Sequence, residues 1–502
     1  MTYKNITTIL CFTIALAICN SCTGNKPLQA RYQAEKMFSE ANKSLETAQS
    51  FNKELTPEQQ QDITSQFTKL VDYCYEQISQ IDSNSYPVEF NEFHYITYQA
   101  GTRLSQLYYL KNEYLKCIDI TNKLLTDINI PEAQKASVYI NLGQCLQAGG
   151  EWDSAYTVYE NIIERFSPPL TSSNEIITPI FNLPLYVFRV VNYIDQKKSI
   201  SYEMTKTENY YLNLIHDFPK QKLETASRAN LAKLYEETGQ WKKELAQLEL
   251  LTDPSSKSYS TVTLKKADLL ASKLGKSDSA LVLYNKIEAN TPEDQEDIRA
   301  ILMFKKALVQ IDKKNYDLAR SILFDIKKTY PAIYDQSPLF QYNLARSFEL
   351  QDKWNRAEQE YNLLLEKFKG SSESMMTLLY LVDHFQKQKN TFEKDRWFKT
   401  ADDYFTELAE DGRGTLLEAR ALLYQADLYN RTSDYQKSAD ALLSVFNKYP
   451  KTDPGKQALI KAIRLYHEQL NNPLKADSLL EQLKLTLANL PVSADSEDLL
   501  SK

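Results

Sequence analysis

The chain of 502 residues carries 66 acidic and 59 basic side chains, so its net charge of −7 excludes the strongly basic surface typical of nucleic-acid binding. Glycine accounts for only 11 residues, about a third of its usual share of ~7%, which argues against glycine-rich phosphate loops, propellers and doubly wound sheets. A hydrophobic fraction of 43% is sufficient for a core and excludes a wholly disordered chain.

The first 21 residues have the pattern of an export signal. Lys4 precedes an apolar run over residues 6–18, which is short for a membrane span and typical of a signal-peptide core. Ser21 then stands directly before Cys22, and a small residue in that place resembles the cleavage site of bacterial lipoproteins. The resemblance implies a lipoprotein signal peptide over 1–21 and a lipid on Cys22. The alternative is an ordinary secretory signal.

Three cysteines remain beyond Cys22. They are Cys74, Cys117 and Cys145, and an odd number does not make a disulfide framework. Their spacing matches no metal-binding pattern. One bridge is possible, but we expect these residues to be small buried side chains.

The segment before residue 98 is predicted to be helical. Apolar residues recur at helical spacing after Pro27, and Thr56 followed by Pro57 is a helix-start signal. This pattern predicts an N-terminal helical cap or a degenerate repeat over 22–97.

From residue 98 onward a short motif recurs, in which an aromatic residue is followed three positions later by a small one. It occurs as Tyr114 with Cys117, Trp152 with Ala155, Tyr316 with Ala319, Trp354 with Ala357, Phe398 with Ala401 and Tyr435 with Ser438. Other positions keep the same phase, among them a small residue at Gly143 and large residues at Tyr159, Tyr211, Tyr284 and Tyr361. A period of 38 or 39 residues separates several of the small positions, and such a period indicates a repeat architecture.

The motif resembles the tetratricopeptide repeat (TPR), whose unit is two antiparallel helices. The resemblance covers residues 98–485 and implies an all-α fold, an α-α superhelix (TPR solenoid) of about ten helix-turn-helix repeats. Repeats would start near Tyr98, Ala136, Phe188, Thr225, Thr261, Ala300, Pro338, Val382, Ala419 and Gln457. Residues 486–502 read as a polar C-terminal tail.

We find no constellation of catalytic or metal-binding residues in the sequence. The Gly-Lys-Ser stretch over 275–277 lacks the earlier glycine of a phosphate loop, because position 270 is leucine. The four histidines fall in different repeats without a ligand partner at metal spacing: His94, His216, His384 and His467. We therefore expect no enzymatic activity, no cofactor and no metal.

In the tetratricopeptide family, ligands commonly lie along the concave wall that the first helix of each repeat lines. The resemblance places seven residues on that wall as protein-binding positions: Lys233, Phe304, Leu308, Tyr342, Arg346, Asp427 and Asn430. For Phe304 and Leu308, packing between repeats is an equal alternative. We expect a protein or peptide ligand, since helical grooves accept helices or extended chains.

The resemblance thus implies a non-enzymatic protein–protein interaction scaffold, lipid-anchored in the bacterial cell envelope. By analogy it would lie in the outer membrane facing the periplasm and act in outer-membrane assembly or organisation. The alternative is a glycan-binding nutrient-uptake lipoprotein with helices of this type. Such proteins tend to carry insertions rich in Gly and Trp, whereas this sequence has 11 Gly and 4 Trp.

Overall fold

The computed structural model describes residues 26–49, 56–194, 200–450 and 452–488. The predicted signal peptide, Cys22 and nearly all of the predicted polar tail lie outside the described residues. Within them every regular element is an α-helix, which confirms the all-α prediction. In chain order the helices are α1 Lys26–Gln49, α2 Pro57–Gln80, α3 Pro87–Leu110, α4 Tyr114–Asp127, α5 Glu132–Ala148, α6 Trp152–Arg165, α7 Thr178–Ile194, α8 Ile200–Asp217, α9 Lys222–Glu237, α10 Trp241–Leu251, α11 Tyr259–Ser272, α12 Ser277–Ala289, α13 Glu296–Asp312, α14 Tyr316–Thr329, α15 Pro331–Gln336, α16 Pro338–Glu349, α17 Trp354–Lys367, α18 Ser372–Lys387, α19 Thr391–Asp411, α20 Leu416–Arg431, α21 Tyr435–Lys448, α22 Asp453–Glu468 and α23 Pro473–Ala488.

The described residues divide into two compact units, one up to Leu234 and the other from Tyr235 onward. In the first unit, α3 packs on α4, α5 on α6 and α7 on α8. In the second unit the packed pairs are α11/α12, α13/α14, α16/α17, α18/α19, α20/α21 and α22/α23. Short connections make the two helices of such a pair antiparallel. The predicted helix-turn-helix repeats are therefore confirmed as pairs of packed helices.

The recurring aromatic residue marks the start of the second helix in most pairs. Trp152, Tyr316, Trp354 and Tyr435 are each the first residue of such a helix. The small residue three positions later is buried in the pair, as at Ala155, Ala319, Ala357 and Ser438. A larger side chain there would hold the two helices apart.

Close approach within a pair is most direct at Gly143 of α5. A β-carbon built on Gly143 would lie 2.3 Å from Cε1 of Tyr159 on α6, well inside contact distance. The Tyr159 ring therefore occupies the space that any other residue at 143 would need. The small residue Gly143 and the large residue Tyr159 of the repeat pattern therefore pack directly against each other.

The register of the repeats is not uniform. The first helix α18 begins at Ser372, so the predicted start at Val382 is displaced, and Phe398 lies inside α19. Ala401, Phe405 and Leu408 are nevertheless buried at the spacing seen for Ala357, Tyr361 and Leu364 of α17. Helix α19 thus has about two more turns before Ala401 than α17 has before Ala357, at 3.6 residues per turn. First helices α3 and α7 likewise begin before the predicted starts at Tyr98 and Phe188.

The expectation that all three later cysteines are unpaired is wrong for two of them. Cys117 of α4 and Cys145 of α5 form a disulfide with their Cα atoms 5.9 Å apart. The bridge joins one helix pair to the next. Cys74 is a free, buried thiol, and its burial raises its pKa to about 12.

No helix in the described part of the chain is long and apolar enough to cross a membrane.

Candidate protein-interaction face

Successive first helices of the second unit pack directly on one another. Helix α13 contacts α16, α16 contacts α18, α18 contacts α20, and α20 contacts α22. We call the outward surface of these five helices the first-helix face. The positions predicted to bind protein in the second unit all belong to these helices.

The residues predicted to bind protein differ in how far they are buried. Tyr342 and Arg346 on α16 are half-buried, and on α20 Asp427 is half-buried while Asn430 is exposed. These four residues reach the surface on the first-helix face. Lys233 on α9 is exposed and belongs to the first unit.

Phe304 is buried, contrary to the prediction that it lies on the protein-binding wall. Its side chain is only 9% exposed, and its ring centroid lies 4.7 Å from that of Phe340 on α16. Leu308 is half-buried against the same cluster. Phe304 therefore belongs to the core between two helix pairs, which was the alternative interpretation.

A buried carboxylate organises the middle of the face. Glu349 accepts a hydrogen bond of 2.6 Å from the Tyr361 hydroxyl of α17 and another from the Tyr380 hydroxyl of α18. It also forms an ion pair with Arg346. Burial alone would raise the pKa of Glu349, but the Arg346 guanidinium and the two hydroxyls outweigh it and lower the pKa. Glu349 is therefore a charged link between three helices.

The first unit contains a neutral version of the same arrangement. The side-chain oxygen of Gln147 on α5 accepts hydrogen bonds from Tyr159 of its own pair, at 3.1 Å, and from Tyr186 of the next first helix, at 2.8 Å. An acceptor near the end of a first helix thus joins its own second helix to the following first helix. In the second unit this link carries charge and gains Arg346.

His384 of α18 extends the charged cluster toward the surface. Its ring stacks on Trp354 with centroids 5.3 Å apart and planes inclined by 5°. Its Nδ1 lies 3.6 Å from an oxygen of Glu349. Trp354 is the aromatic residue of the repeat motif, so the motif also supports part of this face.

A groove lies between α20 and α22 at the far end of the face. It has a volume of about 290 Å³ and is lined by Leu423, Asp427, Asn430, Lys461, Arg464, Leu465 and Glu468, among others. Asp427 pairs with Arg431 at 3.1 Å, and Arg431 also contacts Asp383 of α18. Two predicted residues, Asp427 and Asn430, are thus brought into one groove.

The two cations of this groove are free to receive a ligand. Lys461 and Arg464 are exposed on α22, and neither forms an ion pair with another described residue. They stand beside the apolar side chains of Leu423 and Leu465. The groove can therefore bind a polypeptide that offers both an apolar side chain and a carboxylate.

Sequence reasoning missed several residues of the face. Tyr380 and His384 were missed because the repeat start near Val382 put them between repeats or at the very start of one. Lys461 and Arg464 fall in the last predicted repeat, in which the resemblance assigns no wall residues. Among the described residues, no three His, Cys, Asp or Glu side chains are grouped so as to hold a metal ion.

The sequence model of the tetratricopeptide repeat matches residues 137–167 and 420–452. These stretches fall on the pairs α5/α6 and α20/α21. No curated protein matches the chain significantly.

Solved structures of the same repeat class resemble the chain weakly. A tetratricopeptide repeat protein from Parabacteroides merdae is 14% identical, covers 60% of this chain and 99% of its own, and has a TM-score of 0.32. Yeast Tom70 is 12% identical, with 94% of this chain and 98% of its own covered and a TM-score of 0.34. The Naa15/Naa10 structure bound to HypK-THB is 13% identical, covers 91% of this chain and 64% of its own, and has a TM-score of 0.32.

Successive packed helix pairs define a helical-repeat protein. The two matched stretches and the recurring aromatic and small positions show that the chain contains tetratricopeptide repeats. Proteins of this family bind protein or peptide partners.

Proposed function

We propose that the chain is a non-enzymatic scaffold that binds another protein through the first-helix face of its second unit. The observation that carries this proposal is the groove between α20 and α22, where Lys461 and Arg464 lie exposed without ion-pair partners beside apolar side chains. A partner segment with an acidic residue next to an apolar one would satisfy both. Charge complementarity of this kind mainly sets specificity and the association rate.

Site-directed photo-crosslinking in living cells tests this proposal. A photoreactive residue replaces Asn430, which lines the groove, and in a control replaces Asn447, which is exposed on the second helix α21. We expect a discrete crosslinked protein from position 430 and none of that mass from position 447. Equal crosslinking at both positions would mean that the face is not the binding surface.

We further propose that the protein is exported and anchored in the bacterial envelope by a lipid on Cys22. The disulfide between Cys117 and Cys145 supports export, because disulfides persist in oxidising compartments and are rare in the bacterial cytosol. A thioether-linked diacyl anchor has enough acyl chains for stable membrane attachment.

Incorporation of a labelled fatty acid tests the anchor. We expect label on the wild-type protein and none on Cys22→Ala, with Cys74→Ala as the matched control that retains the label. Label that persists in Cys22→Ala would exclude the anchor. We propose the outer membrane, facing the periplasm, as its location. Fractionation of the two membranes, with protease added to intact cells, tests this location, and we expect the protein in the outer-membrane fraction and protected from the protease.

A further inference from the structure

A second cleft lies in the first unit, between the second helices α6 and α8 and beside α7. Its volume is about 400 Å³, within the range of pockets that hold small ligands or single side chains. Its apolar floor includes Ile163, Pro184 and Val187, and its charged side chains are Glu160, Glu203 and Lys206. The cleft therefore carries one more negative than positive charge.

Glu203 is the unusual group of this cleft. It is only 4% exposed, yet its single hydrogen bond from a described residue is the 2.6 Å bond that the Tyr156 hydroxyl donates to Oε1. No cation among the described residues pairs with it, because the ammonium of Lys206 is bound by Glu160. A buried carboxylate without a counter-ion is costly, since removal from water is not repaid by pairing.

One cation of the cleft, Lys206, already lies near two aromatic rings. The Lys206 ammonium lies 5.8 Å from the ring centroid of Tyr156 and 6.0 Å from that of Tyr202. Those distances are at the limit of a cation–π contact. Tyr202 lines the cleft and is 65% exposed, so its ring is accessible to a group from solvent.

We propose that this cleft binds an alkylammonium group, with Glu203 as its counter-ion and the ring of Tyr202, which lines the cleft, beside it. The group would come from a lysine side chain of a polypeptide or from a free amine. The Lys206 ammonium already pairs with Glu160 and lies near the Tyr202 ring, and it therefore limits the affinity of the cleft for a second ammonium group. The site does not depend on the function proposed above, which uses a different unit of the chain.

Titration calorimetry with three probes tests the proposal on the purified chain. The probes are acetyl-Gly-Lys-Gly-amide, its norleucine counterpart without the ammonium, and 1,5-diaminopentane. We expect the lysine peptide to bind and the norleucine peptide not to bind. Binding of the diamine alone would assign the site to free amines, and binding of the lysine peptide alone would assign it to polypeptides.

Two substitutions should move the affinity in opposite directions. Glu203→Gln removes the counter-ion and should weaken binding at least tenfold, whereas Lys206→Met frees Glu160 and should strengthen it about threefold or more. Glu164→Gln, at an exposed carboxylate of the same helix α6, is the matched control and should bind like wild type.

Three results would contradict ammonium binding in this cleft. Equal binding of the lysine and norleucine peptides, binding of neither the peptide nor the diamine, or unchanged affinity in both variants would overturn the proposal. If Glu203→Gln does not fold, the increase expected of Lys206→Met decides the question alone.

Discussion

The carboxyl group of Glu244 should make the protein less stable as pH rises. Glu244 lies on α10 at the position where other repeats have alanine, it is 2% exposed, and its Oε2 has no hydrogen-bond partner. Burial and then the nearby Glu236 carboxylate raise its pKa from 4.5 to about 7, although Lys265 opposes them. Lys265 is itself held by Glu236, at 2.6 Å.

The sign of the effect follows from the raised pKa of the folded state. Below pH ~4.5 Glu244 is protonated in both states and has no effect, whereas above pH ~7 the folded state must hold a buried charge. At about 1.4 kcal/mol per pKa unit, the cost above pH 7 is roughly 3 kcal/mol. Glu244→Gln keeps the shape of the protonated acid and removes this cost.

Urea unfolding at several pH values, followed by the fluorescence of nearby Trp241, measures the effect. We expect Glu244→Gln to match wild type at pH 4.5 and to exceed its free energy of unfolding by about 2–3 kcal/mol at pH 8. Glu293→Gln, at an exposed carboxylate between α12 and α13, is the control and should show no such trend. A difference between Glu244→Gln and wild type that stays constant from pH 4.5 to 8 would refute the reasoning.

Three further perturbations test particular contacts. Gly143→Ala should cost about 1–3 kcal/mol in thermal or urea unfolding because its β-carbon would collide with Tyr159, and a cost near zero would mean that the pair can open freely. Reduction of the Cys117–Cys145 disulfide, which spans 28 residues, should lower the free energy of unfolding by about 3–4 kcal/mol in wild type but not in a Cys117→Ala/Cys145→Ala variant; equal responses to reductant would contradict the bridge. Hydrogen bonds from Lys448, then Tyr449 and the Gly414 amide, lower the pKa of Glu418 from 4.5 to about 2. The ionised Glu418 therefore stabilises the fold fully above pH ~4.5, and this stabilisation is lost as pH falls toward 2. Glu418→Gln should lower the free energy of unfolding by about 1–3 kcal/mol at pH 7 and by little at pH 2. An equal loss at both pH values would count against these hydrogen bonds to the Glu418 carboxylate.

The pairing of helices could be predicted because the repeat motif reports a physical contact. An aromatic residue at the start of a second helix and a small one a turn later, such as Trp354 and Ala357, are both required by close packing. Phe398 and Ala401 in α19 keep the same spacing. Because α19 has extra turns before them, the first helix α18 ends earlier in the sequence than the motif predicts. A local motif predicts the packed face of a helix but not how many turns of that same helix come before the motif.

The site could be predicted only in part because a face depends on neighbours. Tyr342, Arg346, Asp427 and Asn430 lie on the first-helix face as the repeat phase indicates. Phe304 has the same phase as Tyr342, yet it is buried, since Phe340 of the next first helix covers it. The sequence spacing of two helix pairs does not reveal which side chain of the next pair will lie opposite.

The cysteine pairing could not be predicted for a similar reason. Cys117 and Cys145 are 28 residues apart and occupy different positions in successive repeats. Only the stacking of α5 on α4 brings them together.

The most direct test of the central claim is the affinity of the crosslinked partner for the purified chain, compared between wild type and Lys461→Glu/Arg464→Glu. Reversal of the two unpaired cations should weaken binding at least tenfold, since charges at an interface also repel when reversed. Lys475→Glu, at an exposed lysine on α23, should bind like wild type. An unchanged affinity in the double variant would contradict the assignment of the first-helix face as the binding surface.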